Sequence, residues 1–424
     1  MEKYDIKPLK TKDIKVTVPG SKSITNRALL MAALSKGECF IKGILFSDDS
    51  RHFLKALEDL GFELNIDEEN KSVRVVGQGG DIPRKEGAIY VGSAGTAARF
   101  LTAMLGLSDG EYVINASEQM KKRPMKPLFD VLKSMGSKIE FLEEENSLPV
   151  KIKGCKNTKI TRVCLDISKS TQFLSALMMI GCMCNEGLEV EITSEKKSGS
   201  YINITKNMVE EFGGKVEFDG QVYYVAPKPY SIKEYQVEPD VSAACYFYGI
   251  ASIYGCRALV NNVHFNSTQG DIRFIKVLEE MGCEVIDTDE GIEVVGPSKL
   301  KGLEDVDMNN FSDQALTLAN VAIFADSPTT INNIAHIRGQ ECDRLNAIAS
   351  NLRNMGINVD EREDSITIYP GDFHSTNIET FEDHRVAMSF TMSGLGEKSL
   401  TILNPMCCKK TFENYFEIID QLCK

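Results

Sequence analysis

The stretch Leu57-Glu58-Asp59-Leu60-Gly61 ends a helix-like pattern of apolar residues at a glycine, and the apolar residues Phe62 and Leu64 follow it as in a strand. Glycine often ends a helix because it adopts a positive φ without steric cost. The pattern recurs with its glycines 75, 77, 69 and 74 residues apart. These copies lie at residues 132–136, 209–213, 278–282 and 352–356. A sixth copy, residues 418–422, stops where its glycine would fall, at Cys423.

Six copies of helix, glycine and strand indicate an α/β fold of six units, each of roughly 70 residues. Residues 63–76 also have the pattern of a hairpin, with turn-forming residues at 67–70. The chain of 424 residues exceeds the roughly 250–300 residues that one core reaches, which predicts two domains with three units each. The alternative is chance, because helix, glycine and strand follow one another in many α/β proteins.

The composition is that of an ordinary globular protein, with 42% hydrophobic and 26% charged residues. The net charge of −13 argues against nucleic acid or an anionic membrane as a partner. No apolar run reaches the roughly 18–20 residues of a membrane span. Residues 1–5 alternate in charge, so we expect no secretion signal.

The twelve cysteines follow neither zinc-ligand nor disulfide-framework spacing, and the five histidines are not at ligand spacing. The one close pair, Cys182 and Cys184, ends an apolar run over 176–184 that predicts a buried helix. Free thiols in this number indicate a reducing compartment, so we expect a cytoplasmic protein.

A cluster of hydroxyls and cations, Pro19-Gly-Ser-Lys-Ser-Ile-Thr-Asn-Arg27, lies between a strand-like run at 14–18 and an apolar helix at 28–34. Free N–H groups and the helix dipole, added to Lys22 and Arg27, favour an anion at this place. The spacing is not that of a phosphate-binding P-loop, because Lys22 does not follow a glycine. The alternative is a capped helix with solvated charges.

Three further clusters in the first half have the same design. Residues 92–99 follow a strand-like run with small residues and a helix holding Arg99, residues 121–126 are basic, and residues 168–173 place three hydroxyls and an amide before an apolar helix. Their ordinary interpretations are a tight turn with a surface arginine, a solvated basic face and helix capping, respectively.

The second half adds carboxylates to the cations. Asp313 precedes an apolar helix, and Glu341 and Arg344 would share one helical face in the run 338–344. Residues 382–385 begin another apolar helix, and residues 409–412 lie near the end of the sequence. Helix capping and surface ion pairs are the alternatives. Together, helix N-termini from both halves predict binding of a small polyanion with acid–base chemistry.

These motifs resemble, in order and over essentially the whole chain, those of the EPSP synthase (3-phosphoshikimate 1-carboxyvinyltransferase) family. The matching segments are 19–27, 93–99, 123–124, 170–174, 266–271, 313–315, 383–388 and 407–412. The resemblance implies a two-domain fold in which each domain holds three βαβαββ repeats as an inverted α/β barrel-like prism. It assigns residues 21–238 to one domain and residues 1–20 plus 239–424 to the other, with closure on substrate.

The family resemblance implies transfer of the enolpyruvyl (1-carboxyvinyl) group from phosphoenolpyruvate to the 5-hydroxyl of shikimate 3-phosphate, with release of phosphate, in chorismate and aromatic amino-acid biosynthesis. The residues carried over for shikimate 3-phosphate are Lys22, Ser23, Arg27, Ser170, Thr171, Ser198, Tyr201, Asp313 and Gln340. Those carried over for phosphoenolpyruvate are Lys22, Gly95, Arg123, Gln172, Arg344, Arg385 and Lys410. The residues expected to move protons are Lys22, Asp313 and Glu341. The resemblance also implies a monomer without a metal or redox cofactor, and inhibition by glyphosate because Gly95 is retained.

Three positions depart from the family pattern: Gln340 stands where lysine is usual, His336 where asparagine is common, and Phe100 where proline follows the arginine. The first two weaken binding of shikimate 3-phosphate or indicate a different acceptor. Phe100 could reshape the helix behind Gly95. A non-catalytic anion-binding homologue is a further alternative. The related UDP-N-acetylglucosamine enolpyruvyl transferases carry Lys-Asn at 22–23 and a reactive cysteine, which residues 116–124 lack.

Overall fold

The computed structural model describes residues 2–424 and divides into two compact units. The first unit is Gly20–Glu238, and the second unit combines Met1–Pro19 with Pro239–Lys424. Within residues 2–424, no helix has both the length and the apolar character needed to cross a bilayer. That the predicted segments 21–238 and 1–20 plus 239–424 fold as independent domains stays a prediction.

Short strands run through both units. They are β1 Lys3–Asp5, β2 Asp13–Val16, β3 Lys36–Lys42, β4 Leu64–Asp67, β5 Ser72–Gln78, β6 Glu86–Tyr90, β7 Glu111–Asn115, β8 Lys138–Phe141, β9 Val150–Lys153, β10 Arg162–Leu165, β11 Leu188–Ile192, β12 Val216–Phe218, β13 Val222–Val225, β14 Glu234–Gln236, β15 Arg257–Asn261, β16 Glu284–Thr288, β17 Gly291–Val295, β18 Val306–Asp307, β19 Thr329–Asn332, β20 Val359–Glu361, β21 Ile366–Ile368, β22 Asn377–Ile378 and β23 Thr401–Leu403.

Helices alternate with these strands. The α-helices are α1 Lys22–Leu34, α2 Asp48–Asp59, α3 Gly95–Gly106, α4 Glu118–Lys121, α5 Lys126–Met135, α6 Gln172–Ile180, α7 Ser200–Glu211, α8 Val241–Tyr254, α9 Arg273–Glu280, α10 Ala315–Ala322, α11 Arg344–Asn354, α12 His384–Ser393 and α13 Tyr415–Leu422. Short 3-10 helices cover Gly181–Met183, Gly270–Ile272, Ser312–Gln314, Ala335–Gly339 and Pro405–Lys410.

One order of elements, βαβαββ, recurs five times along the chain, and a sixth copy follows the same order with only three strands. The first copy runs β2, α1, β3, α2, β4, β5, and the second runs β6, α3, β7, α5, β8, β9 with the single extra turn α4. The last copy, β22, α12, β23, α13, takes its remaining strand from β1. The predicted α/β fold of six repeats is confirmed.

Five four-stranded sheets share one topology. In the sheet of order β6, β7, β9, β8, the first pair is parallel and the two others are antiparallel, with Tyr112 opposite Ile152. The predicted hairpin over 63–76 is such an antiparallel pair, β4 with β5. The sixth sheet has three strands: β22 is parallel to β23, and β1 is antiparallel to it, with Lys3 opposite Leu403.

The first and fourth repeats exchange their opening strands. β2 pairs in parallel with β15, so that Ile14 lies opposite Ala258. β14 pairs in parallel with β3, so that Tyr235 lies opposite Ile41. The residues that precede α1 therefore belong to a sheet of the second unit, and each unit has three sheets.

The five glycines of the repeat all have a positive φ. The angles are 88° at Gly61, 110° at Gly136, 89° at Gly213, 105° at Gly282 and 90° at Gly356. In this backbone region a side chain is unfavourable, so glycine lets the chain leave the helix and reverse into a strand. The prediction from the glycine spacing is confirmed.

The core of each unit is built from three apolar helices in mutual contact. They are α1, α3 and α6 in the first unit and α8, α10 and α12 in the second.

The predicted buried helix over 176–184 is wrong at its end, because α6 stops at Ile180 and Gly181–Met183 form a 3-10 turn. Glycine is a poor helix former, and a Cβ at Gly181 would lie 2.5 Å from Val225. All twelve cysteines are free thiols.

The N-terminal turns of these central helices meet at one end of each unit. In the first unit, Asn26 of α1 donates to Thr96 of α3 at 2.6 Å. In the second unit, Arg385 of α12 lies 3.0 Å from Asp313, which directly precedes α10. Each helix N-terminus presents free N–H groups and a partial positive charge, so this end of each unit favours anions.

Candidate active site

Lys22 is the first residue of α1 and forms an ion pair with Asp49 in the first turn of α2. Its ammonium lies 3.5 Å from the Asp49 carboxylate, and its side chain is only 15% exposed. The pair joins two neighbouring helix N-termini and holds the Lys22 ammonium where the helix dipole favours negative charge.

Arg27, one turn further along α1, is a fully buried cation. It donates to the Thr205 hydroxyl at 2.7 Å, to the Ser23 carbonyl at 2.8 Å and to the Ser175 hydroxyl at 3.1 Å. These acceptors are neutral. Burial lowers the pKa of the Arg27 guanidinium to about 10, which leaves it charged at neutral pH. A buried charge whose partners are neutral is stabilised by an added anion.

Phe100, one of the three departures, lies directly against this cation. Its buried ring is 5.2 Å from the Arg27 guanidinium carbon, in a cation–π arrangement. Helix α3 runs without a break through Phe100, so the aromatic residue leaves the helix behind Gly95 regular.

Arg99 connects three of the predicted phosphoenolpyruvate contacts, although the sequence analysis named it only within the cluster 92–99 and not as a substrate contact. It donates to the Gln172 side chain at 2.6 Å and to the carbonyl of Pro124, which follows Arg123, at 3.0 Å. A Cβ added at Gly95 would lie 2.7 Å from an Arg123 nitrogen and 2.8 Å from an Arg99 nitrogen. Gly95 thus lets two guanidinium groups approach the backbone. The spacing of Arg99, four residues after Gly95, could have indicated this shared helical face.

The remaining predicted residues of the first unit lie on the loops before α6 and α7 and in the first turn of α7. The Ser170 hydroxyl accepts from the Gln172 backbone N–H at 3.2 Å, and Thr171 is the residue that precedes α6. The Tyr201 carbonyl accepts from Arg27 at 3.4 Å. Ser198 is exposed and lies two residues before α7.

Arg344 is the centre of the site in the second unit, with a side chain that is 1% exposed. It donates to Asp383 at 2.7 Å, to Asp313 at 2.7 Å and to Glu341 at 3.0 Å. Burial alone would lower the pKa of Arg344, but the three carboxylates outweigh it and raise the pKa well above its usual value. One guanidinium therefore joins both carboxylates that the sequence analysis assigned to proton transfer.

Two further cations surround the same carboxylates. Arg385 lies 3.0 Å from the second oxygen of Asp313, and the Lys410 ammonium lies 3.6 Å from Glu341. All of these groups are largely buried. Three cations and three carboxylates thus form one network, in which each buried charge has an opposite partner.

Helix capping explains why the cations stand where they do. The Asp383 side chain accepts from the Arg385 backbone N–H at 2.8 Å, and the Asp343 side chain accepts from the Asn346 N–H at 3.0 Å. These caps start α12 and α11 directly before Arg385 and Arg344. The sequence analysis missed Asp383 as a site residue, although a carboxylate before two basic residues at a helix start was a usable signal.

The two departures at the acceptor positions touch this network. The Gln340 amide oxygen accepts from Arg344. The His336 ring nitrogen Nε2 lies 2.7 Å from the hydroxyl of Ser312, the residue before Asp313. The structure therefore places Gln340 and His336 beside Asp313 and Arg344, and which substrate atoms they contact stays a prediction.

We predict that Asp383→Ala lowers the free energy of unfolding by about 3–5 kcal/mol, because it removes one partner of a buried ion pair. The Asp383 carboxylate has no exposed surface, and its loss would also remove the cap of α12. The change would be measured by urea unfolding.

Asp360→Ala is the matched control, because Asp360 pairs with Arg362 on the surface, where the side chains are 46% and 70% exposed. Its loss should cost less than about 1 kcal/mol. Equal unfolding curves for the two variants would contradict the structural role of Asp383.

Comparisons with known proteins agree with these features. The family model described as EPSP synthase (3-phosphoshikimate 1-carboxyvinyltransferase) matches residues 6–419. A 3-phosphoshikimate 1-carboxyvinyltransferase of Trichormus variabilis is 40% identical over 406 residues, 95% of this chain and 95% of that protein. One from Actinobacillus pleuropneumoniae serotype 5b is 40% identical over 439 residues and covers 100% of this chain and 99% of that protein.

Solved structures lead to the same family. An EPSP synthase from Acinetobacter baumannii has a TM-score of 0.82 to this structure at 26% identity, covering 100% of this chain and 98% of that one. The resemblance inferred from the motifs is thus confirmed: the chain belongs to the EPSP synthase (3-phosphoshikimate 1-carboxyvinyltransferase) family.

Proposed function

We propose that this chain transfers the enolpyruvyl group of phosphoenolpyruvate to the 5-hydroxyl of shikimate 3-phosphate and releases phosphate, a step in aromatic amino-acid biosynthesis. The prediction of a 3-phosphoshikimate 1-carboxyvinyltransferase is confirmed by the relatives that carry this name. Within the structure, the observation that carries the proposal is the single buried Arg344 that joins Asp313 and Glu341.

The reaction needs one base and one acid at the same centre. The oxygen of the 5-hydroxyl bonds to C2 of phosphoenolpyruvate and gives up its proton, while C3 gains one. The C–O bond to phosphate then breaks, and C3 loses a proton to form the product. We assign these proton transfers to Lys22, Asp313 and Glu341, because ionisable groups positioned at a reacting centre contribute roughly 10²–10⁴-fold to such steps.

The substrates carry two phosphates and two carboxylates, so the site must supply several cations. We assign shikimate 3-phosphate to Ser23, Arg27, Ser170, Thr171, Ser198, Tyr201 and Gln340, together with Lys22 and Asp313. We assign phosphoenolpyruvate to Gly95, Arg123, Gln172, Arg344, Arg385 and Lys410, together with Lys22. The buried Arg27, whose hydrogen-bond acceptors are neutral, supports an anion in the first unit.

In the second unit, substrate anions have to exchange with carboxylates already in place. Arg385 is bonded to Asp313, and Lys410 is close to Glu341. An anion bound by these cations would take over part of that attraction and release Asp313 and Glu341 for proton transfer. Binding of the substrate anions and activation of the two carboxylates would then occur in the same step.

The finer assignments of partner and location are part of the proposal. We infer a cytoplasmic monomer that glyphosate inhibits. Twelve free thiols support a reducing compartment, and Gly95 beside Arg99 and Arg123 supports a small anionic inhibitor at the phosphoenolpyruvate position. Gln340 next to Arg344 favours a second candidate, an enolpyruvyl transferase with a different acceptor.

Phosphate release from phosphoenolpyruvate, measured with and without shikimate 3-phosphate, tests the activity. We expect acceptor-dependent release by the wild-type protein.

Lys22→Ala should lower kcat by about 10²-fold or more, because Lys22 lies at a helix N-terminus and is assigned both to binding and to proton transfer. Lys36→Ala, which changes an exposed lysine of β3, is the control. Near-normal turnover of Lys22→Ala would exclude the assigned role.

Gln340→Lys restores the lysine that is usual in the family at this position and tests whether its absence weakens acceptor binding. We expect the KM for shikimate 3-phosphate to fall about tenfold, because a hydrogen bond to a charged group contributes about 1.5–3 kcal/mol. Gln340→Met is the control without a charge and should not lower this KM. An unchanged KM in Gln340→Lys would show that the wild-type glutamine does not limit acceptor binding. If neither variant turns over shikimate 3-phosphate, a different acceptor would be favoured.

Gly95→Ala tests the phosphoenolpyruvate assignment. The added Cβ would lie 2.7 Å from Arg123 and 2.8 Å from Arg99, so both guanidinium groups must shift. We expect the KM for phosphoenolpyruvate and the inhibition constant of glyphosate each to rise about tenfold or more, as a loss of about 1.4 kcal/mol implies. Gly371→Ala is the control, since its Cβ would meet only Ile357 at 3.7 Å. Unchanged constants in Gly95→Ala would refute the assignment.

A further inference from the structure

Asp271 is a buried carboxyl group that the proposed mechanism does not use. It lies in the 3-10 helix Gly270–Ile272 of the second unit and is 5% exposed. Its Oδ2 atom accepts hydrogen bonds from the Ser242 hydroxyl and from the Gln314 side-chain amide, the latter at 2.8 Å. A buried carboxyl group with two specific donors is costly to place, so its contacts call for an explanation.

The first donor leads to Arg385. The Ser242 hydroxyl donates to Asp271 and accepts from the Nη2 atom of Arg385 at 3.4 Å. The same Nη2 atom donates to Asp313 at 3.0 Å. Asp271 and Asp313 therefore hold one nitrogen of Arg385 from two sides, Asp271 through the Ser242 hydroxyl and Asp313 directly.

The second donor leads to the turn that carries Asp313. Gln314 follows Asp313 in the 3-10 helix Ser312–Gln314. Its amide nitrogen donates to Asp271, and its amide oxygen accepts from the Thr317 hydroxyl at 2.9 Å. Both polar atoms of the Gln314 amide are thus bonded, which fixes the peptide next to the catalytic carboxylate.

The charges around Asp271 determine its proton affinity. The ionisable groups facing it are Asp313 before α10, Arg385 of α12 and the Cys245 thiol of α8. Arg273, at the start of the adjacent α9, is exposed. Burial first, and then the negative charge of Asp313, raise the pKa of Asp271 to about 6, against the opposing effect of Arg385.

We infer that Asp271 is a positioning residue for the proposed reaction: through Ser242 it directs Arg385 toward phosphoenolpyruvate, and through Gln314 it fixes the turn that carries Asp313. The inference rests on the proposed function. The ionised carboxylate accepts both hydrogen bonds and strengthens them by its charge. The protonated group has no such charge, so its hold on Arg385 weakens as the pH falls through about 6.

Asp271→Asn and Ser242→Ala separate this role from a general contribution to folding. Asparagine keeps an oxygen acceptor for both donors but carries no charge and does not titrate. Ser242→Ala leaves Asp271 in place and removes its connection to Arg385. Glu280→Gln, which neutralises an exposed acid of the adjacent α9, is the control for a change of charge alone.

The experiment is steady-state kinetics of the full chain from pH 5 to pH 8, varying each substrate. The ratio of wild-type to variant kcat/KM is compared across pH, because titration of the substrate phosphates cancels in this ratio. For Asp271→Asn and Ser242→Ala we expect the KM for phosphoenolpyruvate to rise about three- to tenfold at pH 7.5. For Ser242→Ala, which leaves the hydrogen bond from Gln314 to Asp271 in place, we expect less than a twofold change in the KM for shikimate 3-phosphate. The ratio should fall toward one below about pH 6. Glu280→Gln should match the wild type.

Thermal unfolding at pH 7.5 accompanies the kinetics. An ionised buried carboxylate with a raised pKa opposes folding above that pKa, so Asp271→Asn should have a Tm no lower than the wild type. An unchanged KM for phosphoenolpyruvate in either variant, equal losses for both substrates in Ser242→Ala or a ratio independent of pH would overturn the role of Asp271. If Asp271→Asn does not fold, Ser242→Ala alone decides by the same criteria. Absence of acceptor-dependent phosphate release from the wild type would instead overturn the proposed function.

Discussion

The mutual packing of three apolar helices is the constraint on which each unit depends. Because these helices meet through their first turns, their free N–H groups and partial positive charges gather at one end of the unit. The residues placed there must be cations, hydroxyls or capping carboxylates. The sheets and amphipathic helices keep this end in place, and the proposed chemistry depends on a few residues at each helix start.

The two units use this arrangement differently. In the first unit, Arg27 is buried among neutral oxygens and against the Phe100 ring, so no carboxylate among its hydrogen-bond partners balances its charge. In the second unit, Arg344 is surrounded by three carboxylates and its charge is fully balanced. The first unit therefore holds a buried cation whose acceptors are neutral, and the second holds a charge-balanced cluster, on which the proposed exchange of carboxylates for substrate anions depends.

The sequence predicted the local features well, because they depend on residues close together in the chain. The glycine of each repeat reports a positive φ, and Glu341 with Arg344 form the expected i, i+3 pair. Contacts between distant residues were not predictable. Asp383 reaches Arg344 across 39 residues and Asp271 reaches Gln314 across 43, and both choices of partner depend on how the central helices pack.

The pairing of β1 has a consequence for synthesis of the chain on the ribosome. Lys3 pairs with Leu403, so this strand emerges 400 residues before its partner exists, a delay of roughly 20–80 seconds at about 5–20 residues per second. The first unit has all strands of its three sheets once Gln236 has emerged. The earliest strand of the second unit therefore has no partner strand until residues 401–403 have been synthesised.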